Sequence, residues 1–207
     1  MKKITFTITF FLFCFLSAYA QVQIGTGTDK DQKLPFYPAF GHSYTQSIYL
    51  ASEINATGQI TAIKWFYSGS STLNSSQDLL IYMGTTTKAE FTSNSNWEPI
   101  GNLTLVYSGK FLITGSKNEW KTITLDTPFD YNGTSNLIVA TNEVTEGNDG
   151  FGDRFYNSVV SGNRSLSIWK DGSPINPASP PNAEYTGGFV AYVPNIIFDG
   201  LTQECIN

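Results

Sequence analysis

Apolar residues in this 207-residue chain come in short runs, each rich in β-branched or aromatic side chains and each closed by a turn signal. Runs of that length, bounded by Gly, Pro, Asn and Asp, are the pattern of β-strands packed in a sandwich or barrel. They predict strands over SIYLASEI (47–54), QITAIKWFYS (59–68), DLLIYMG (78–84), NLTLVYSG (102–109), WKTITL (120–125), NLIVATN (136–142), RSLSIWK (164–170), GFVAYV (188–193) and NIIFDG (195–200). No run keeps helical period for three turns, and TTKAEF (86–91) alone predicts a single helical turn. The fold class that follows is all-β, an antiparallel, jelly-roll-like sandwich of roughly nine to eleven strands.

The segment QIGTGTDKDQKLPFYPAF (23–40) reads as an edge strand followed by a proline-aromatic crossing segment. Tyr67-Ser68-Gly69, Tyr107-Ser108-Gly109 and Tyr131-Asn132-Gly133 each predict a strand exit through a glycine turn, where glycine accepts positive φ. Two loops are long. One is TEGNDGFGDR (145–154), and the other is DGSPINPASPPNAEYTGG (171–188), whose four prolines favour an extended, ordered course.

At the N-terminus, Lys2 and Lys3 precede a thirteen-residue apolar run (4–16) and then Ala18-Tyr19-Ala20, the layout of a cleaved secretory leader. The run falls short of the ~20 residues that cross a bilayer, so a single 21–202 domain exported to the cell surface or medium is expected, with 203–207 as a tail. Removing the leader leaves ten basic and seventeen acidic side chains, a net charge of −7, which disfavours nucleic acid as a partner. Cys205 then has no second cysteine to pair with in the mature chain.

Catalysis at neutral pH usually draws on histidine, a nucleophile or a metal. The one histidine, His42 in GHSY, stands in no GxSxG or HExxH context and reads as a loop or structural residue. Two carboxylates alone would serve a glycosidase, but no pair among the seventeen acidic residues stands out. In the acidic glycine loop, Glu143, Glu146, Asn148, Asp149 and Asp153 supply enough oxygen ligands for calcium, yet the spacing is not that of an EF-hand. Asp and Asn beside Gly equally make an ordinary turn, so both readings stand. The five Asn-x-Ser/Thr sites read as turn composition.

Strand parity separates the tryptophans. In RSLSIWK, Leu166 and Ile168 share one face and Ser165, Ser167 and Trp169 the other, the polar one. In WKTITL, Trp120 lies with Thr122 and Thr124, opposite Ile123 and Leu125, whereas Trp65 joins Ile63 and Tyr67 in a core-like row. Trp169 and Trp120 are therefore candidate ligand platforms, because an exposed indole beside hydroxyls can stack on a sugar ring. Packing under a loop is the alternative.

Two segments carry a resemblance. EWKTITLDTPFDYNGTSNLIVAT (119–141) has a Trp-led strand, a Pro-Phe-x-Tyr-x-Gly turn and then Asn-Leu and a strand. With QIGTGT and FGHSYTQSIYLASEI upstream, it resembles the N-terminal β-sandwich modules of Bacteroidota secreted and surface proteins, found beside fibronectin type III or adhesin-like domains and a type IX secretion signal. In that family the tail runs into a Cys-x-x-Pro start of the next domain, where this chain has Cys205-Ile206-Asn207. The resemblance implies a truncated chain or a solitary module. It also implies a non-catalytic accessory or adhesive unit, with a glycan, an extracellular protein or neighbouring domains as partners. A structural spacer and a small carbohydrate-active enzyme are the alternatives.

Overall fold

The structure is a computed structural model that describes residues 20–69, 72–74, 78–114, 117–183 and 187–202. The leader expected over 1–20 lies outside these residues except for its last position, and Cys205 lies outside them too. In chain order the strands are β1 (Ala20–Ile24), β2 (His42–Tyr49), β3 (Thr57–Tyr67), β4 (Asp78–Thr86), β5 (Thr104–Lys110), β6 (Glu119–Tyr131), β7 (Asn136–Glu143), β8 (Asn157–Val159), β9 (Ser165–Lys170), β10 (Gly187–Val190), β11 (Tyr192–Pro194) and β12 (Ile196–Thr202). One helical turn, α1 (Ala51–Ile54), follows β2.

Eight of these strands form four nested antiparallel pairs, β1 with β12, β2 with β7, β3 with β6 and β4 with β5. Folded over, this ribbon gives two facing sheets, ordered β1-β12-β3-β6 and β2-β7-β4-β5. That is the arrangement of a jelly roll. The other four strands all lie between β7 and β12: β9 and β10 extend the second sheet beyond β2, and β11 pairs with β8. The acidic loop, Trp169 and the proline loop therefore all belong to one insertion, residues 144–195, in an otherwise regular eight-strand roll.

Three expectations are corrected. The strand count is twelve among the described residues, because β8 was unforeseen and GFVAYV breaks at Ala191 into β10 and β11, which join different sheets. The strand expected over 47–54 ends at Tyr49, and ASEI turns instead into α1. Capping bonds explain the turn: the Ala51 amide donates to Asn136 Oδ1 at 2.9 Å, the Leu50 amide to Glu53 Oε2 at 3.2 Å, and Asn55 closes it in the left-handed region at φ 43°. TTKAEF makes no helix. Thr86 ends β4, and the Lys88 ammonium is anchored beyond it on the Asn96 and Trp97 carbonyls and on Glu98.

Of the three glycine exits, only Gly133 takes positive φ, at 74°. Gly69 is required for space, since a Cβ there would overlap the Tyr67 hydroxyl and Asp153.

The six-stranded sheet is buried on both faces. Its inner face meets the other sheet in a core that includes Trp65, Tyr49, Ile81, Val139 and Phe198. Its outer face carries a second apolar cluster, Tyr44, Ile48, Ile138, Leu166 and Ile168, roofed by Phe91, Ile175 and Ala183 from the loops. The proline loop is thus a cover, held where the Ala183 amide donates to the Asn94 carbonyl and Trp97 Nε1 to the Pro181 carbonyl.

Candidate functional site

The parity of β9 holds, but its consequence is reversed. Ser165, Ser167 and Trp169 lie across β2 from Ser47, Thr45 and Ser43. Those β2 residues continue across β7 to Val139, Thr141 and Glu143, a row that faces the sandwich interior. The hydroxyls satisfy one another there, with Ser47 and Ser165 bonded at 2.7 Å and the Thr45 hydroxyl donating to the Pro35 carbonyl. Trp169 ends this row half-buried, edge-on to Tyr37 with ring centroids 5.3 Å apart and beside Phe40 at 6.2 Å. The crossing segment packs on it, so polarity in β9 marks an internal seam rather than solvent.

The acidic loop is fastened by its own carboxylates. The Tyr67 hydroxyl donates to Asp153 Oδ1 at 2.7 Å, the Asn74 amide to Asp149 Oδ1 at 3.0 Å, and the Thr145 amide to Glu143 Oε1 at 2.8 Å. Glu146 and Asn148 are exposed. Among the described residues, no three His, Cys, Asp or Glu side chains gather as a metal ion would need. Of the three carboxylate bonds, only that from the Thr145 amide to Glu143 is the side-chain-to-nearby-backbone bond of a turn; the other two tie the loop to distant segments.

Glu143 is fully buried and its Oε2 has no hydrogen-bond partner among the described residues. Burial pushes its carboxyl up to about 8, against the bonds from Thr145 and with a smaller push from Asp149 and Asp78. Burial likewise raises the Tyr67 hydroxyl well above the ordinary tyrosine range, helped by its bond to Asp153. His42 is also buried, its Nε2 within 2.6 Å of the Gly172 carbonyl, which ties the start of β2 to the proline loop.

Trp120 lies half-buried on an outer face. It pairs across the ladder with Phe66 on the outer face of the four-stranded sheet, and the two rings stack with centroids 5.0 Å apart at 29°. Tyr156, brought in by the insertion where its amide donates to the Phe66 carbonyl, lies 5.1 Å from Phe66 on the other side. Its own hydroxyl donates to Asn118 Oδ1 at 2.9 Å. All three rings are half-buried, and Thr122 and Thr124 continue the same face exposed.

Phe66 was legible by parity, since its neighbours Trp65 and Tyr67 were read as core. Tyr156 had no sequence signal, because only the insertion's path brings it to the row.

Farther along the same face Lys64 and Asp199 pair at 3.0 Å. Beyond them opens a groove of about 640 Å³ lined by Gln21, Gly58, Gln59, Thr61, Asp199, Gly200 and Thr202.

No protein-family model, curated protein or solved structure matches this chain. The functional reading accordingly rests on the chemistry of this face and on the bonds that occupy the acidic loop.

Proposed function

We propose that the chain is an exported, non-catalytic jelly-roll module that binds glycans on the outer face of its four-stranded sheet. The observation that carries this reading is the half-buried row Trp120, Phe66 and Tyr156, three aromatic rings laid side by side on a face whose other side chains include Thr122, Thr124, Gln59 and the paired Lys64 and Asp199. A sugar ring has an apolar face of C–H groups and a rim of hydroxyls, which suits a flat indole beside Thr and Gln side chains. Rigid aromatic rings also supply contact area at low entropic cost. The row sits on strands of a regular sheet, so it is held in place before any ligand arrives.

Retardation in native gels cast with neutral polysaccharides tests this reading. Truncating a central aromatic anchor typically costs ~2 kcal/mol or more, so Trp120→Ala is expected to weaken binding by about 30-fold. The ring lies on the surface, and its loss is expected to move the melting midpoint by no more than about 4 °C. A panel on which the wild-type protein runs unretarded would favour a spacer, and release of reducing sugar would make the protein an enzyme.

A further inference from the structure

Two features of the outer face stand apart from each other along one strand. The aromatic row crosses β3 at Phe66, and the groove crosses it at Gln59 and Thr61. Five residues of extended strand separate Phe66 from Thr61 and seven separate it from Gln59, about 16 and 23 Å at the rise of a β-strand. No single sugar ring reaches both.

The groove is a product of irregular pairing. Register shifts fall between Asp199 and Leu201 on β12 and between Ile60 and Ala62 on β3. Gly200, at φ 96°, occupies the first of them, and a Cβ there would run into the Gln59 carbonyl. Gly58, at φ 120°, adds a second position without a side chain. The floor is therefore bare backbone, and Gln21, Gln59, Thr61 and Thr202 stand exposed around it.

The charges select further. Lys64 neutralises Asp199 on the groove wall, while Asp130 accepts from Gln59 Nε2 at 3.1 Å at the groove's edge. The face is left with an excess of negative charge, which disfavours an anionic polymer.

We infer that the ligand is a neutral, linear polysaccharide that lies along β3, stacked on the aromatic row at one end and hydrogen-bonded in the glycine-floored groove at the other. This inference rests on the glycan reading above, and it adds chain length and charge to it. Titration calorimetry separates the two, with mixed-linkage β-glucan, xylan and galactomannan as polymers, their trisaccharides as short probes and polygalacturonate as the anionic control. The double variant Gln59→Ala, Thr202→Ala is expected to bind its polymer about tenfold more weakly and its trisaccharide as the wild type does, whereas Trp120→Ala weakens both. Thr61→Ala, on the groove wall, is expected to act in the same direction as the double variant and serves in its place if that protein does not fold.

Groove variants that bind polymer like the wild type, beside a Trp120→Ala variant that does not, would overturn the extended site and leave the glycan reading intact. Tighter binding of polygalacturonate than of any neutral polymer would overturn the charge argument. A wild-type protein that binds none of the three neutral polymers would remove the glycan reading and this inference with it.

Discussion

Trp65→Ala is expected to lower the melting midpoint by about 6 to 20 °C. Trp65 is 1% exposed at the centre of the sandwich, with Phe36, Phe111 and Phe155 around it at centroid distances of 6.4, 6.1 and 6.3 Å. Truncating a buried tryptophan to alanine costs ~3 to 5 kcal/mol through lost burial and the cavity left behind. For a domain of this size each kcal/mol moves the midpoint by about 2 to 4 °C. The crossing segment would loosen with the core, because Phe36 belongs to it and also packs on Phe155 at 5.0 Å. Trp65→Phe is expected to cost far less, since it refills most of the volume and removes an Nε1 that is buried without a hydrogen-bond partner among the described residues. A scanning-calorimetry midpoint within 3 °C of wild type for Trp65→Ala would place Trp65 outside the core.

Glu143→Gln is expected to act in the opposite direction, by an amount that grows as the pH rises above 4.5. An ordinary glutamate titrates near 4.5, whereas burial holds Glu143 up to about 8. Below pH 4.5 the carboxyl is protonated in both the folded and unfolded chains, and its contribution to stability is fully present. As the pH rises from 4.5 through 8 the unfolded chain ionises freely and the folded chain does not, so that contribution is lost. At 1.36 kcal/mol per pH unit the loss amounts to about 3 to 5 kcal/mol above pH 8. An amide carries no charge into the site. Glu143→Gln should therefore melt about 6 to 20 °C higher than wild type at pH 8 and within a few degrees of it at pH 4.5.

The same variant tests the calcium alternative for the acidic loop. A bound cation would stabilise the carboxylate, and Glu143→Gln would then lower the midpoint at pH 8 and abolish any rise produced by millimolar calcium after EDTA. That result would contradict the turn reading.

How far the sequence could be read depended on whether a residue's surroundings were local. Strand existence came from short apolar runs closed by turn signals, and the turn at Gly133 from its Asn-Gly pair, but the edge strand expected from residue 23 onward lies at Ala20–Ile24, where its pairing with β12 sets it. Whether a polar face meets water is a long-range question. Ser165, Ser167 and Trp169 look like a solvent face in their own strand, and only their alignment with Ser43, Thr45 and Ser47 reveals a shared interior seam. The helical turn at ASEI is held in part by Asn136, eighty-five residues away, a bond that no window around it could find.

The candidate site was half legible for the same reason. Trp120 with its threonines is a feature of one strand and Phe66 follows by parity from Trp65, but Tyr156 and the groove at Gly58 and Gly200 are made by pairing between distant segments. The carboxylates of TEGNDGFGDR suggested calcium because their composition is open to it. The actual partners of Asp153 and Asp149, Tyr67 and Asn74, come from a distant strand and loop whose approach composition does not encode.

Hydroxyl-radical footprinting of the wild-type protein, alone and saturated with a retarding neutral polysaccharide, tests the glycan-binding face most directly. Protection of Trp120, Phe66 and Tyr156, with Trp169 and Phe151 oxidised equally in both samples, is the result expected of a ligand on the outer face of the four-stranded sheet. Protection centred on Trp169 or on the exposed loop tip at Phe151, with the Trp120 row unchanged, would place the ligand on the insertion and contradict it.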